Sequence, residues 1–152
     1  MNTLVRGLIA SLLLLGLLGG SATPAQAQAT DTPTPEQTPA AWMQHLEEQL
    51  THLLWIPDQK RQERAMQLII HYAQFEDAAG EPVYDFRKAA PRLLDIYKHS
   101  VDRGQRLLAL AALNAIGDPE SMQALAATIP SESSDFVRQR TLHVLSAHLN
   151  RR

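Results

Sequence analysis

The chain has no cysteine among its 152 residues, and only 5% of those residues are aromatic. The missing thiols exclude disulfide bridges, thiolate-bound metals, iron–sulfur clusters and a cysteine nucleophile. The chain also has little excess charge, since it contains 14 lysines and arginines and 16 acidic residues, and the formal net charge is −2. A near-neutral chain without a long basic run is not typical of a nucleic-acid binder. Hydrophobic residues still make up 45% of the chain, enough for one domain core.

Several catalytic signatures are missing as well. No serine lies in a G-x-S-x-G motif, no glycine-rich phosphate loop is present, and no His-Glu dipeptide occurs. His45, Glu48 and His52 share one helical face, but the two histidines lie roughly 10.5 Å apart along a straight helix. One zinc ion could not easily reach both of them, so a solvated face is the simpler interpretation. We therefore expect no enzymatic activity, no metal and no cofactor.

The first 27 residues have the features of a secretory signal peptide. Arg6 supplies a positive charge, residues 8–18 form an apolar run of 11 residues, and Ala25 and Ala27 form an A-x-A cleavage site. A membrane span needs about 20 apolar residues, so a retained anchor is the weaker alternative. We predict cleavage after Ala27 and export to the periplasm, or secretion from the cell.

Residues 28–40 predict a linker. They contain Pro33, Pro35 and Pro39 among threonine, glutamine and alanine, and no apolar side chain larger than alanine. Proline has no backbone N–H and disfavours helix in the residue before it. We expect a disordered or polyproline-like segment here.

Residues 41–150 carry apolar side chains at helical spacing and predict an all-α domain. We predict six helices, near residues 41–55, 58–76, 88–100, 102–116, 119–128 and 134–150. Polar N-caps are predicted at the starts of helices one, two, five and six: Thr38, Asp58, Asp118, and Ser133 or Ser134. Gly117 is predicted to end the fourth helix. Strand content is predicted to be close to zero.

The apolar stripes predict which side chains face inward. In the first two helices these are Trp42, Leu46, Leu50, Leu53, Ala65, Leu68, Ile69, Tyr72 and Phe75. In residues 107–116 of the fourth helix the only polar side chain is Asn114. A helix that is apolar on nearly every side is predicted to be buried on nearly every side.

Part of the fourth helix recurs along the chain. Residues 106–120 (R-x-x-A-L-x-x-L-x-x-I-G-D-P-E) are partly matched by residues 135–145 (D-x-V-R-x-x-T-L-x-x-L), and more weakly by residues 58–68. These motifs resemble the HEAT-like repeats of the short bacterial, PBS-lyase type. In the weakest copy Arg61 takes the arginine position and Lys60 replaces the usual valine.

The resemblance implies an α-solenoid of three helical hairpins over residues 41–150, and it assigns no activity. A single hairpin cannot bury both its faces, so about three stacked repeats are needed for a core. The resemblance also implies that Arg106 and Arg138 pair with acidic residues in neighbouring turns. The available partners are Asp102, Asp118 and Asp135.

Six residues are candidates for binding a partner. The second helices of such arrays usually line a concave surface, and polar stripes on the second and sixth helices contain Arg64, His71, Arg140 and His143. The two stripes do not superpose under the repeat alignment. Tyr84 and Phe86, in the loop of residues 77–87, either pack on the core below or act as aromatic anchors for another molecule.

The sequence thus predicts an exported, non-catalytic module or scaffold of the cell envelope that binds another protein. We expect no nucleic-acid partner, and no membrane contact apart from export. Two alternatives stay open. A hydrolase or metal-dependent enzyme would gather His71 or His143 with two carboxylates in a cleft, whereas a chaperone-like binder of unfolded chains would expose an apolar concave face.

Overall fold

The computed structural model describes residues 39–150. The predicted signal peptide and residues 28–38 of the predicted linker lie outside the described residues, as does the N-cap candidate Thr38. The described part has six α-helices and no β-strand, and one isolated bridge joins Glu76 to Pro82. The predicted all-α fold is therefore confirmed for this part of the chain.

The helix bounds agree with the prediction to within a few residues. The helices are α1 Pro39–Leu53, α2 Gln59–Tyr72, α3 Ala90–His99, α4 Arg103–Ile116, α5 Pro119–Ala126 and α6 Asp135–Leu149. Short 3-10 turns stand at Arg87–Ala89 and Ile129–Ser131. The largest difference is the end of α2, which stops at Tyr72 because the chain folds back on itself. There the backbone N–H of Val83 donates to the carbonyl of Phe75 at 2.9 Å.

Local polar contacts explain where the helices begin and end. The side chains of Asp58, Asp118 and Ser134 accept the backbone N–H three residues further on, which confirms these predicted caps. Asp102, predicted as the first residue of the fourth helix, caps α4 in the same way. Gly117 has a φ of 65° and ends α4 as predicted, because glycine adopts the left-handed conformation without a steric penalty.

Each helix packs on the one that follows it in the pairs α1 with α2, α3 with α4, and α5 with α6. In addition α4 contacts α2 and α6, and α3 contacts α5. The first turns of α2 and α4 meet where Gln105 Nε2 donates to Gln62 Oε1 at 2.7 Å. The first turns of α4 and α6 meet where the Arg103 guanidinium lies 5.5 Å from the Phe136 ring centre.

The other ends of the same three helices also meet. Ala73, Ile116 and His148, from the last turns of α2, α4 and α6 or just beyond them, line one cavity. The three helices therefore run side by side in one direction. We call them the α2–α4–α6 layer, with an N-terminal end at their caps and a C-terminal end at this cavity.

The core is centred on α4. None of the side chains from Gln105 to Ile116 is exposed, and Ala109, Ala112 and Leu113 are completely buried. The predicted burial is confirmed in part, because the other faces of residues 107–116 are only partly buried. The helix is covered by α2, α3, α5 and α6. Burying one such leucine contributes roughly 1.5–3 kcal/mol, so these neighbours stabilise one another.

The prediction that Trp42 and Phe75 face inward is wrong. Trp42 and Phe75 are both about half exposed. Phe75 lies beyond the end of α2, where the chain has already turned, and Trp42 lies near the start of α1, before the helix meets its neighbours. Leu54 and Met66, which the prediction did not include, are completely buried instead.

Candidate functional site

The N-caps of α2, α4 and α6 give these helices a common register. The caps are Asp58, Asp102 and Ser134. Four residues after them stand Gln62, Arg106 and Arg138. The predicted alignment had matched Arg61 with Arg138, which the caps correct by one residue. After the correction the arginines of the two polar stripes do superpose, since Arg64 and Arg140 each lie six residues after their cap.

The side chains four residues after the cap reach back into the preceding turn. Gln62 Nε2 donates to the carbonyls of Leu54 and Ile56 at 3.0 and 2.9 Å. In α4, Arg106 Nε donates to the Tyr97 carbonyl at 2.7 Å. In α6, a guanidinium nitrogen of Arg138 donates to the Glu132 carbonyl at 3.1 Å. These three contacts, which we call turn clasps, tie the start of each helix to backbone carbonyls of the preceding turn.

The carboxylate partner of Arg106 is not one of the predicted aspartates. Arg106 pairs with Glu132, whose side chain is only 4% exposed and lies in the turn before α6. Arg138 does pair with a predicted partner, Asp135, at the surface. Burial opposes the charge of Glu132 most strongly, but the Ser134 N–H and the Arg106 guanidinium outweigh it and lower its pKa.

The eight arginines of residues 39–150 fall into two groups. Five contact a carboxylate, and some also a carbonyl: Arg61, Arg87, Arg92, Arg106 and Arg138. Three contact neither among the described residues: Arg64, Arg103 and Arg140. All three of these lie on the α2–α4–α6 layer, in the N-terminal half of their helices. Arginines without a carboxylate partner are thus confined, among the described residues, to this part of the layer.

Phe136 stands between two of these arginines. Its ring centre is 5.5 Å from the Arg103 guanidinium and 5.2 Å from that of Arg140, and the residue is 43% exposed. Both distances are within the range of a cation–π contact. Lys60 occupies the position equivalent to Phe136 on α2, two residues after the cap, and is exposed. We call Lys60, Arg64, Arg103, Phe136 and Arg140 the basic face.

Sequence reasoning missed Phe136 and Arg103 as site residues. The spacing of Phe136 and Arg140 was a usable signal, because residues four apart on a helix are neighbours on its surface. The contact with Arg103 could not be predicted, since it joins two helices that are separated in the sequence.

The structure divides the six predicted partner-binding residues into three groups. Arg64, Arg140 and His143 are exposed on the α2–α4–α6 layer. His71 is exposed near the C-terminal end, where it contacts the rings of Tyr72 and Phe75, and Tyr84 is half-buried in the same aromatic cluster. Phe86 is only 2% exposed and belongs to the core, so it is not available as an anchor.

A cavity of about 750 Å³ opens at the C-terminal end of the layer. The Tyr84 and Phe86 rings line it, stacked with 6.0 Å between centres, together with the carboxylates of Glu76, Glu81 and Asp85. The paired Arg87 side chain lowers the pKa of Asp85 from its ordinary 3.8 to about 2.

The histidine face of α1 has no arrangement typical of a metal centre. His45 hydrogen-bonds to Gln49 at 2.7 Å, and His52, about two helical turns beyond His45, is exposed. Across residues 39–150, no group of three or more histidine, aspartate and glutamate side chains is placed to hold a metal ion.

Comparison with known family models, curated proteins and solved structures gave no match to this chain. Within residues 39–150, no helix is both long and apolar enough to cross a membrane. What the chain does has to be inferred from its own geometry.

Proposed function

We propose that this protein is an exported, non-catalytic interaction module that holds an acidic segment of another protein in the cell envelope. The basic face would be its partner surface. The observation that carries this proposal is the exposed Phe136 ring, which lies between two guanidinium groups without carboxylate partners.

Charge and geometry both favour an anionic partner. Two guanidinium groups beside one ring repel each other, and a bound carboxylate would offset that repulsion while accepting hydrogen bonds from either of them. The ring supplies apolar contact area next to the charges. Arginine and aromatic residues are also the side chains that most often dominate binding energy in protein interfaces.

The architecture we propose is a short stack of three HEAT-like hairpins, α1–α2, α3–α4 and α5–α6. The contacts of α4 with α2 and α6 support it, since a stacked hairpin touches its neighbours on both sides. The turn clasps support it as well, because one position after each cap makes the same type of contact in three successive units. Such stacks present an extended surface formed by their second helices.

Export is the part of the proposal that rests on the sequence of residues 1–27 alone. If it is correct, protein recovered from the periplasm or the medium begins at Gln28, after cleavage at Ala27. Sequencing the N-terminus of the mature protein tests this directly. A mature chain that still begins at Met1 would refute export by cleavage.

A defined peptide tests the partner surface. The probe is a fluorescent, glutamate-rich peptide of about a dozen residues with two leucines, and its control is the same peptide with glutamine for glutamate. We expect saturable binding of the acidic peptide only, weakening as salt is raised. Arg103→Gln and Arg140→Gln should each weaken it about fivefold, the effect of losing one partly exposed charge-assisted contact.

Lys98→Gln is the matched control, because it removes the same charge from an exposed site on α3, outside the basic face. It should change the affinity by less than about twofold, given the screening of distant surface charges. Equal loss in Lys98→Gln, or equal binding of the glutamine peptide, would contradict a charge-specific site. Tight binding of neutral unfolded chains would favour the chaperone-like alternative instead.

A further inference from the structure

We infer a second site, in which the cavity at the C-terminal end of the α2–α4–α6 layer binds an organic cation. Its volume of about 750 Å³ lies within the range of small-ligand pockets. This inference is independent of the acidic partner proposed for the basic face, because it concerns the opposite end of the helices and the opposite charge.

The aromatic lining suits a cation with an apolar body. Tyr84 is half-buried and lines the cavity, and the core residue Phe86 stacks on its ring at an interplanar angle of 15°. Tyr72 packs against Tyr84 with 5.1 Å between ring centres and holds it in place. The face of such a ring attracts ammonium and guanidinium groups.

The charges around the cavity are mainly negative. Glu76, Glu81 and Asp85 line it, whereas the one arginine among the lining residues is Arg87. Both carboxylate oxygens of Asp85 accept hydrogen bonds from Arg87, at 2.8 and 2.6 Å, so these two charges compensate each other and Glu76 and Glu81 supply the remaining negative charge. The C-terminal ends of three helices add partial negative charge from their last carbonyl groups.

The wall of the cavity is fixed without a ligand. Asp77 Oδ1 accepts the backbone N–H groups of Ala79 and Glu81 at 2.8 and 2.9 Å, which closes the turn. Further along, the Asp85 N–H donates to Glu47 Oε1 at 2.7 Å and ties the loop to α1. A preformed wall reduces the ordering cost that binding would otherwise carry.

An organic cation fits this lining better than a metal ion does. The described residues contain no group of three histidine or carboxylate side chains close enough to bind a metal ion. Aromatic rings form part of the lining, and a hydrated metal ion would gain little from contact with them. The shared chemistry is a quaternary ammonium or a guanidinium group, either on a small molecule or on a basic side chain of a peptide.

Choline and its uncharged carbon isostere, dimethylbutanol, give the sharpest test, because they differ in charge and hardly in shape. Argininamide is added as a probe for the guanidinium of a peptide. Each is titrated into the purified full chain, and the amide signals of Glu81, Asp85 and Gly117 are followed by NMR. We expect saturable shifts with choline, argininamide or both, and none with dimethylbutanol. Choline alone would indicate a small-molecule ligand, and argininamide alone a basic side chain.

Two variants localise the effect. Tyr84→Leu should weaken binding about two- to fivefold, the usual size of an exposed cation–π contact. Glu81→Gln should weaken it about threefold, because it removes one charge from the wall. Glu63→Gln, an acid on α2 that does not line the cavity, is the control and should leave the affinity unchanged. The inference is refuted if neither cation gives saturable shifts, if dimethylbutanol binds equally well, or if Glu63→Gln causes the same loss.

Discussion

The two ends of the α2–α4–α6 layer are built differently. At the N-terminal end, Gln62 and Gln105 hydrogen-bond to each other between two helices, and Gln62 and Arg106 also donate to backbone carbonyls. At the C-terminal end, the ends of the helices line a cavity, and the ion pair of Asp85 with Arg87 on its wall lies at the surface. Stability should therefore depend more on the first end than on the second.

At the N-terminal end, positions only two residues apart on one helix have different roles: one holds the preceding turn, and the other is exposed to solvent. The residue four positions after the cap contacts the backbone of the preceding turn in each of the three helices, and the residue six positions after it is exposed in α2 and α6. Two steps along a helix rotate a side chain by about 200°, so Arg138 and Arg140 have different surroundings despite their closeness. The outward position can change its charge without disturbing the turn clasps.

The largest effect should come from the buried pair. Arg106→Ala leaves the Glu132 carboxylate buried without its guanidinium, and we expect a loss of about 3 kcal/mol in the free energy of unfolding. Arg61→Ala is the control, because its ion pair with Asp58 is exposed on both sides and contributes about 0–1 kcal/mol. Urea denaturation measures both. Equal losses would show that burial of the first pair does not matter.

The glutamine clasp should come next. Gln62→Ala removes hydrogen bonds to the carbonyls of Leu54 and Ile56 and leaves the Gln105 amide without one partner. We expect about 2 kcal/mol of destabilisation, since three hydrogen bonds are lost and the buried Gln105 amide loses a partner, while the two carbonyls keep Arg92 and the Asp58 N–H as donors. Gln67→Ala, an exposed site on the same helix, should stay within about 0.5 kcal/mol. A similar loss in both variants would contradict the role of the clasp.

At the C-terminal end, the backbone of Gly117 should matter less. Gly117→Ala forces a side chain into the left-handed conformation, which costs about 1–2 kcal/mol, although no atom lies closer than 3.9 Å to the added carbon. Gly117→Asn should cost less, because asparagine tolerates this conformation. Thermal unfolding of the two variants tests the order, and an alanine variant as stable as wild type would argue against backbone strain.

The smallest effect should be that of Asp85, and it depends on pH. Its pKa in the folded protein is lowered to about 2, so its contribution is present above about pH 4 and is lost as the pH falls towards 2. Because the side chain is 52% exposed, we expect about 0.5 kcal/mol or less. Asp85→Asn should flatten the pH dependence of the unfolding midpoint in that range. An unchanged slope would mean that the ion pair is fully screened.

The local features of the fold could be predicted from the sequence. Asp58, Asp118 and Ser134 cap their helices through contacts that span three residues, and Gly117 ends α4 by its own conformation. The neighbouring residues in the sequence were therefore sufficient to predict these helix ends. Tertiary contacts were beyond this reasoning. The partner of Arg106 lies 26 residues further along the chain, in the turn of the next helix pair. Gln62 was not among the predicted inward-facing residues, because its burial depends on donating hydrogen bonds to carbonyl groups of another turn.

The candidate site was predicted in part for the same reason. Arg64 and Arg140 were recognised as members of polar stripes, but their equivalence was hidden by an alignment that followed arginine instead of the caps. Phe86 was retained as a possible anchor because a loop aromatic gives no indication of which way it points. Tyr84, two residues away, lies at the edge of the cavity, and only the three-dimensional structure shows that one ring is accessible and the other is buried.

The exposure of the two tryptophans has a practical consequence for these measurements. Trp55 is 61% exposed, with the Arg92 guanidinium 4.9 Å from the centre of its ring, and Trp42 is about half exposed. Indole emission should therefore shift little in wavelength when the chain unfolds, since both fluorophores already experience water. Circular dichroism is the better optical signal for global unfolding, and fluorescence is reserved for local events at the α1–α2 turn.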